Sequence, residues 1–304
     1  MLVSASNYQK IKNKYLKFLK SQEVLSEPFR NKISQLNNFY LPISNKINKI
    51  YLKDKKTKII GLTGGQGSGK STISNILKII LKEGYNLNTV NFSIDDFYKT
   101  FKDRKKMSLE VSPLFKTRGV PGTHDTKLLF NCLKNLKKKK FQKFSVPKFD
   151  KSIDDRLPKK QWQIFKKKPD IVIFEGWCVG VTPQKNKDLK IPINTLEKKN
   201  DTNRVWRYRV NDELKKKYKK IFNLIDFTIF LKVPSFKHVF KWRLLQEKKL
   251  QVNSAGKKVM NKDQIKKFVM FYERLTKHMF NSMVKVNAVI KIDTKHRLKT
   301  IKFK

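Results

Sequence analysis

The sequence predicts an α/β fold in which helices cover both faces of a parallel β-sheet, and three observations support this prediction. Apolar runs with the composition of buried strands alternate with segments of helical periodicity. A glycine-rich motif lies between the first of these runs and the helical segment that follows it. Carboxylates come directly after two later runs, at the sheet edge where ligands of such folds bind.

The length of the chain is sufficient for one large domain with a helical appendage. The chain has 304 residues, and its 71 Lys and Arg against 24 Asp and Glu give a formal net charge of +47. Such a charge attracts polyanions and anionic membrane surfaces, and it steers phosphorylated substrates toward the protein. Because lysine is spread over the whole chain without an arginine-rich tail, compositional drift is favoured over a dedicated nucleic-acid role.

Cysteine content and the N-terminal segment bear on the compartment. The chain has 2 cysteines, Cys132 and Cys178, without metal-ligand spacing, which favours a reducing compartment. Residues 1–20 lack the apolar core of a secretory signal, and no run approaches about 18 apolar residues. We therefore expect a cytoplasmic protein without a membrane partner, whose oligomeric state the sequence leaves open.

Two units are predicted along the chain: an N-terminal helical extension at residues 1–50 and a main α/β domain at residues 51–304. The segment Leu41-Pro42-Ile43 is expected to divide the extension into two helices. The first strand of the main domain is predicted at residues 57–62. Gly84 is expected to end the helix that follows the glycine-rich motif.

The rest of the main domain alternates strands and helices with two polar segments. Residues 101–122 and 146–160 are expected to be surface loops that carry function. Thr123 or Asp125 is expected near the N-cap of a helix at 126–136. The remaining predictions are strands at 87–94, 171–176, 226–232 and 288–292 and helices at 236–249 and 263–286.

The glycine-rich motif has the pattern G-x-x-x-x-G-K-[ST] in the order strand, turn, helix. Its residues, with the one that follows, are Gly64, Gly65, Gln66, Gly67, Ser68, Gly69, Lys70, Ser71 and Thr72. Glycines let backbone N–H groups approach phosphate oxygens, and the N-terminus of the next helix adds a positive dipole end. Lys70 can reach the β- and γ-phosphates, and the Ser71 hydroxyl can bind Mg²⁺. The motif therefore predicts a site for a nucleoside triphosphate with Mg²⁺.

Carboxylates at the ends of two predicted strands are candidates for the chemistry. Asp95 and Asp96 follow the second strand, and Glu175 closes the third. Phosphoryl transfer needs a carboxylate near the attacking hydroxyl and carboxylates that hold Mg²⁺. Asp95 or Asp96 could serve the first need and Glu175 the second, although the Asp pair could also cap a turn.

Arginines are the candidates for binding the phosphoryl group and an anionic substrate, because a guanidinium group binds phosphate and carboxylate in a bidentate manner. The candidates are Arg118, Arg156, Arg204, Arg207 and Arg243. His124 becomes a plausible substrate contact because it lies in the same short segment as Arg118, beside Thr123 and Asp125.

Five segments of the chain resemble D-glycerate 3-kinases of the plant and cyanobacterial type, which group with phosphoribulokinase, uridine kinase and pantothenate kinase. The resemblance covers roughly residues 40–285. The segments are SIDDFY at 93–98, RGVPGTHD at 118–125, PKFDKS at 147–152, FEGW at 174–177 and WRLLQE at 242–247. One departure is the segment Ser152–Arg156, which is shorter than the corresponding insert of the family.

The resemblance implies a P-loop nucleotide-kinase-like fold and transfer of the ATP γ-phosphate to the 3-hydroxyl of D-glycerate, with Mg²⁺. It implies a catalytic role for Lys70, Asp95 and Arg243, with Arg243 in a helical lid at about 240–262. Ser71 and Glu175 would bind the metal. The implied substrate-binding residues are Asp96, Tyr98, Arg118, His124, Asp150 and Arg156.

Two alternatives remain at this stage. The first is a kinase of the same kind that acts on another small alcohol, such as a nucleoside, pantothenate or a sugar phosphate. The second is a nucleotide-gated protein that binds nucleic acid, in which the charge of +47 is the functional feature.

Overall fold

The computed structural model describes residues 3–23, 28–253, 260–282 and 286–304. Its strands, in chain order, are β1 (Lys58–Gly64), β2 (Thr89–Ser93), β3 (Phe144–Val146), β4 (Phe149–Asp150), β5 (Asp155–Arg156), β6 (Gln163–Phe165), β7 (Ile171–Gly176), β8 (Phe227–Lys232), β9 (Ala288–Ile292) and β10 (Leu298–Phe303).

The helices that accompany these strands are α1 (Ala5–Gln22), α2 (Lys32–Gln35), α3 (Leu41–Leu52), α4 (Lys70–Tyr85), α5 (Phe101–Glu110), α6 (Thr126–Leu136), α7 (Thr195–Asn200), α8 (Val205–Glu213), α9 (Lys219–Phe222), α10 (Phe236–Asn253) and α11 (Lys262–Ser282). Two π-helical stretches, Leu36–Tyr40 and Leu214–Tyr218, join α2 to α3 and α8 to α9.

The central sheet has six strands in the order β10-β9-β8-β1-β7-β2. All neighbours pair in parallel except β10, which runs antiparallel to β9. The predicted parallel sheet is therefore confirmed for its five predicted strands, and β10 is an addition. Its sequence lacks the apolar signal of a buried strand because β10 lies at the edge and, among its side chains, Leu298 alone is buried.

Helices cover both faces of this sheet, as predicted. Alternate side chains of β1 enter different cores, since Ile59 packs with α6 and α11 whereas Ile60 packs with α4 and the N-terminal helices. In β7, Val172 and Ile173 divide in the same way. This two-sided burial explains why the strands read as continuous apolar runs without alternation.

The N-terminal helices pack on the helix that follows the glycine-rich motif. Ile11 of α1 and Ile43 of α3 belong to the same buried cluster as Ile76 of α4. The prediction that Leu41-Pro42-Ile43 divides the extension is wrong, because the π-helical stretch runs directly into α3 with Pro42 at its first turn. Because proline has no N–H to donate, Pro42 omits one backbone hydrogen bond at the point where the π-helical stretch meets α3, and the helix continues through it.

Two further predictions for the segments near α4 and α5 are wrong. Helix α4 ends at Tyr85 and is capped by Asn86 in the left-handed conformation, whereas Gly84 lies inside the helix, where α1 approaches closely. Residues 101–110 of the predicted first loop form α5, whose N-cap Thr100 accepts a hydrogen bond from the Asp103 N–H. Since Arg104 is the buried residue of α5, the helix has almost no apolar face that a periodicity could reveal.

Other predictions are confirmed. Helix α6 occupies 126–136 with Asp125 as its N-cap, and α10 and α11 lie where two helices were expected. The prediction that residues 146–160 form a loop is wrong in part, because this segment contains the short β4–β5 hairpin and is flanked by the antiparallel pair of β3 and β6. Of the lid predicted at 240–262, residues 254–259 lie outside the described residues.

Among the described residues, no helix is both long and apolar enough to span a membrane.

Candidate active site

A cleft of about 620 Å³ opens at the carboxyl ends of β1, β2 and β7. Its lining comes from the glycine-rich loop, the turn after β2, the β4–β5 hairpin, and the two helices α10 and α11. The lining residues are Gln66, Gly67, Lys70, Ser71, Ser93, Asp95, Asp96, Tyr98, Arg118, Lys148, Phe149, Lys151, Glu175, Gly176, Trp177, Arg243, Gln246, Phe268 and Tyr272.

The glycine-rich loop holds Lys70 at the floor of this cleft. The Lys70 Nζ donates to the carbonyl oxygens of Gly64 and Gly65, at 3.0 Å each. Burial lowers the pKa of Lys70, although the carboxylates of Glu175 and Asp95 oppose this effect. The ammonium is thus held where the loop curls, as a phosphate-binding lysine requires.

The shape of the loop depends on glycine. Gly67 and Gly69 have φ values of 75° and 82°, and a Cβ on Gly67 would lie 2.7 Å from the Cβ of Trp242 in α10. Gln66 and Ser68 carry the buried atoms Oε1 and Oγ, which have no hydrogen-bond partner among the described residues. A positive-φ glycine loop with unpaired polar atoms at a helix N-terminus suits a phosphate group.

Two hard oxygen donors meet beside the loop. The Ser71 Oγ donates to the Glu175 Oε1 at 2.9 Å, so the first residue after Lys70 reaches the end of β7. Burial raises the pKa of Glu175, and the Lys70 ammonium partly offsets this. A hydroxyl and a carboxylate at this distance fit Mg²⁺, which is bound through oxygen ligands, phosphates and water. Thr72 follows in α4 and does not line the cleft.

Asp95 projects into the cleft from the turn Ile94–Phe97, which follows β2 directly. The Tyr98 hydroxyl donates to its Oδ1 at 3.0 Å, and the Lys151 Nζ donates to its Oδ2 at 2.7 Å. Burial alone would raise the pKa of Asp95, but these two partners outweigh it and lower the pKa to about 2. Asp95 is therefore a carboxylate at neutral pH, opposite Lys70.

Asp96 is held within the protein scaffold, although part of it reaches the cleft. Its Oδ2 accepts from the Ser93 N–H at 3.2 Å, and its Oδ1 lies 3.2 Å from the Lys148 Nζ. The contact with the Ser93 N–H is one half of a capping box for the turn that carries Asp95, and the Ser93 side chain supplies the other half. The alternative that the Asp pair caps a turn is thus confirmed for Asp96.

His124 is buried and does not line the cleft, and its contact with substrate stays a prediction. Its ring stacks on Tyr98 with centroids 4.5 Å apart, and its Nδ1 lies 2.6 Å from the Tyr218 hydroxyl. Burial lowers the pKa of His124 to about 4, so the imidazole is neutral at pH 7. His124 therefore supports the position of Tyr98, which in turn contacts Asp95.

Arg118 lines the cleft together with the glycine-rich loop. Its guanidinium pairs with Asp154 of the β4–β5 hairpin and lies 5.6 Å from the centre of the Phe149 ring. The next residue, Gly119, has a φ of 143°, and any Cβ there would lie 2.3 Å from the Tyr272 hydroxyl oxygen. This glycine lets the segment carrying Arg118 pass against α11.

Arg156 and Asp150 were predicted as substrate contacts, and neither lines the cleft. The Arg156 Nη2 donates to the Tyr98 carbonyl oxygen at 2.8 Å, and its Nη1 lies 3.4 Å from the Asp125 Oδ2. The Asp150 Oδ1 accepts from the Ser152 N–H and hydroxyl, which shapes the hairpin tip. Both residues therefore serve to build the hairpin.

Arg243 reaches the cleft from α10, as the predicted lid position requires. Its Nη1 lies 2.5 Å from the Glu247 Oε2, and its guanidinium lies over the Phe268 ring. The other two candidate arginines lie elsewhere: Arg207 is buried in an ion pair with Asp201, and Arg204 precedes α8 at the surface.

Comparison with known proteins decides the family. Residues 59–210 match the model of the phosphoribulokinase/uridine kinase family. The chain belongs to this family. It is 34% identical over 242 residues to the uncharacterized kinase mug58 of Schizosaccharomyces pombe, covering 76% of this chain and 85% of the relative.

The kinase is also similar to proteins with a named substrate. It is 26% identical over 256 residues to the chloroplastic D-glycerate 3-kinase of Arabidopsis thaliana, a match that covers 79% of this chain and 53% of the relative. The solved D-glycerate 3-kinase of Cryptococcus neoformans superposes with a TM-score of 0.75 at 24% identity, covering 88% of this chain and 100% of that one. The latter match shows the shared fold.

Several lining residues of the kinase cleft escaped sequence reasoning. They are Lys148, Lys151, Gln246, Phe268 and Tyr272. Lys151 is the one that contacts Asp95, and the PKFDKS segment that carries it was already noted for its resemblance. Because lysine is so abundant in this chain, its residue type alone gave no reason to select it.

Proposed function

We propose that this kinase transfers the γ-phosphate of ATP to the 3-hydroxyl of D-glycerate, with Mg²⁺ bound by Ser71 and Glu175. The observation that carries the proposal is the composition of the cleft. Asp95 and the cations Arg118 and Lys151 line the same cleft as Lys70 of the phosphate loop. This arrangement suits an acceptor that combines a hydroxyl with a carboxylate.

The nucleotide side of the cleft performs binding and charge stabilisation. The loop amides and Lys70 hold the phosphates, and Lys70 neutralises charge that develops on the transferred group. Mg²⁺, when bound by Ser71 and Glu175, would supply further positive charge to the phosphate oxygens. Arg243 reaches the same region from α10, with Glu247 holding its guanidinium group.

On the acceptor side, Asp95 orients the hydroxyl and accepts its proton. Tyr98 fixes the Asp95 carboxylate at one oxygen, and Arg118 provides a guanidinium for the acceptor's carboxylate. The similarity to D-glycerate 3-kinases supports this choice of acceptor. Pantothenate kinases are also among the relatives, with 28% identity over 51% of this chain in one from Streptococcus suis, so pantothenate belongs in the test.

A substrate panel tests the proposal. Purified protein with ATP and Mg²⁺ is supplied in turn with D-glycerate, L-glycerate, pantothenate, uridine or no acceptor, and ADP release is followed. We expect a rate that depends on D-glycerate and exceeds the rate without acceptor by at least about 100-fold. A higher rate with uridine or pantothenate than with D-glycerate would refute the assignment of the acceptor.

A further inference from the structure

Lys151 links the charge of the acceptor to the basicity of Asp95. We propose that the Lys151 ammonium leaves Asp95 for the acceptor's anionic group, so that an anionic alcohol frees the base whereas a neutral alcohol does not. This inference rests on the proposed function and extends it, since it limits the acceptors to small hydroxy acids or similarly charged alcohols. It also gives Lys151 a specificity role that its sequence position did not reveal.

The contact itself shows why Lys151 would have to move. Its Nζ lies 2.7 Å from the Asp95 Oδ2, while the Tyr98 hydroxyl donates to the Oδ1 at 3.0 Å. Lys151 holds the pKa of Asp95 down, and a carboxylate with a pKa of about 2 is a weak proton acceptor for an alcohol. Withdrawal of the ammonium would make the carboxylate more basic at the moment when the acceptor occupies the cleft.

The hairpin that carries Lys151 is anchored at Asp154 and Arg156 and is exposed at Lys151 and Ile153. Arg104, which is fully buried, donates to the Asp154 carbonyl oxygen, and Arg156 donates to the Tyr98 carbonyl oxygen. In contrast, 60% of the Lys151 side chain is exposed, and so is 61% of Ile153. The long side chain of Lys151 can therefore change partners while the contacts of Asp154 and Arg156 stay in place.

Neither of the other two acceptor-side cations could have this effect. Arg118 pairs with Asp154, and Lys148 pairs with Asp96, which caps the turn after β2. Moving either cation toward a substrate carboxylate would leave the partners of Asp95 unchanged. The Lys151–Asp95 pair is distinct because one member is a cation near the acceptor and the other is the candidate base.

The transfer step balances with this exchange. The acceptor hydroxyl gives its proton to the Asp95 carboxylate, and its oxygen forms a bond to the γ-phosphorus of ATP. The bond between that phosphorus and the β–γ bridging oxygen breaks, and ADP leaves with the electron pair. Lys151 stays protonated throughout and changes only its ion-pair partner.

Titratable groups from several other elements also act on the basicity of Asp95. Besides Lys151 and Tyr98, the titratable groups whose charges couple to Asp95 are Lys70 in α4, Glu175 and Cys178 at the end of β7, His124 before α6, and Tyr272 in α11. Because all of these are buried or tied to the scaffold, Lys151 is the partner whose exposure allows it to exchange.

The test compares acceptors that differ in charge, using the full chain with ATP and Mg²⁺. Wild type and Lys151→Met are assayed with D-glycerate and with glycerol, its neutral analogue. We expect the substitution to lower kcat/KM for D-glycerate by about 10- to 100-fold, mainly through KM, because a charge-assisted contact is lost. With glycerol, kcat/KM should stay equal or rise, because Asp95 is then free of the ammonium.

Lys159→Met is the matched control, since Lys159 is an exposed lysine of the same region that lies outside the cleft. It should change neither rate. A loss of kcat/KM by the same factor for both acceptors in Lys151→Met would overturn the inference, because Lys151 would then act without regard to acceptor charge. Unchanged rates with both acceptors would overturn it as well.

The failure of the proposed function would look different. If wild type does not use D-glycerate but does use another hydroxy acid, the same comparison is made with that acid and its neutral amide, and the expected change in ratio is the same. If wild type prefers a neutral acceptor such as uridine over every anionic one, both the proposed function and the role of Lys151 are refuted.

Discussion

The two sides of the cleft are built in different ways. On the nucleotide side, one continuous segment from Gly64 to Ser71 provides the loop, the lysine and the hydroxyl that is proposed to bind Mg²⁺, and Glu175 and Arg243 reach it from distant segments. On the acceptor side, Asp95, Arg118 and Lys151 come from three separate segments joined by ion pairs and hydrogen bonds. The nucleotide side therefore depends on local backbone geometry, whereas the acceptor side depends on long-range contacts.

This difference suggests where a kinase of this family can vary. A loop whose shape is set by glycine φ values and by contact with Trp242 tolerates little change. The hairpin at residues 149–156 can change in length and sequence while its arginine anchors keep it attached. Nucleotide binding should thus be sensitive to single changes in one segment, and acceptor choice should respond to the hairpin.

The largest effect is expected on the nucleotide side, from Lys70→Ala. Loss of the ammonium at the phosphate loop should reduce kcat by about 10³-fold, because charge developing on the transferred group is no longer stabilised. The variant should keep its circular dichroism spectrum, since the hydrogen bonds of Lys70 to described residues go to two loop carbonyls. Retention of more than a tenth of the wild-type turnover would contradict this role.

On the acceptor side, Asp95→Asn should reduce kcat by about 10²- to 10³-fold while nucleotide affinity stays within about threefold. The amide keeps the size of the side chain and loses its ability to accept the proton. Isothermal titration with a non-hydrolysable ATP analogue separates the two quantities. Near-normal turnover would move the base to another group, and Asp96 would be the next to test.

Arg118→Lys should sharpen the contrast between the two sides. The substitution keeps the charge but removes the bidentate fork, so KM for D-glycerate should rise about 10-fold while KM for ATP remains the same. Arg30→Lys is the control, because Arg30 is exposed and does not line the cleft. Equal increases in both KM values would show that Arg118 does not separate acceptor from nucleotide.

Arg156→Gln tests the structural assignment of a residue that the sequence placed in the site. Because the guanidinium joins the Tyr98 carbonyl to Asp125, its loss should lower the free energy of unfolding by about 1–3 kcal/mol. Denaturant titration measures this. A strong rise in the KM for D-glycerate without any loss of stability would restore Arg156 as a substrate contact.

The last prediction concerns how stability depends on pH through His124, the residue that stacks on Tyr98. Burial lowers the pKa of His124 to about 4 from its ordinary value of 6.5, so between these values the unfolded chain binds more protons than the folded one. Its contribution to stability is therefore complete above pH 6.5 and is lost progressively toward pH 4, by at most about 1.4 kcal/mol per pH unit.

His124→Phe keeps a ring that can stack on Tyr98 and removes the titration, so the slope of unfolding free energy against pH should become shallower in this window. His278 contributes a slope of the same sign in both proteins, because burial lowers its pKa too. Denaturant titrations at several pH values between 4 and 7 measure the slope. Identical slopes in wild type and variant would show that His124 is not buried as a neutral imidazole.

The sequence predicted what is encoded locally. The glycine-rich loop, its strand and helix, and the carboxylates that end β2 and β7 each lie within a short segment whose pattern has a direct physical meaning. The five parallel strands were predicted because burial on both faces leaves continuous apolar runs.

What the sequence could not give depends on contacts between distant segments. His124 and Arg156 carry the residue types of a binding site, and tertiary packing turns both away from the cleft. Lys151 became distinct from the other lysines only when the hairpin placed it against Asp95. The effect of Pro42 was misjudged because a π-helical stretch before it was not recognisable from composition.

The most direct test of the proposed function is to identify the product formed from D-glycerate, ATP and Mg²⁺. Phosphorus and carbon NMR distinguish 3-phosphoglycerate from 2-phosphoglycerate. We expect 3-phosphoglycerate to accumulate in step with ADP. ADP release without a phosphorylated glycerate, or phosphate on the 2-hydroxyl, would contradict the assignment of this cleft as a D-glycerate 3-kinase site.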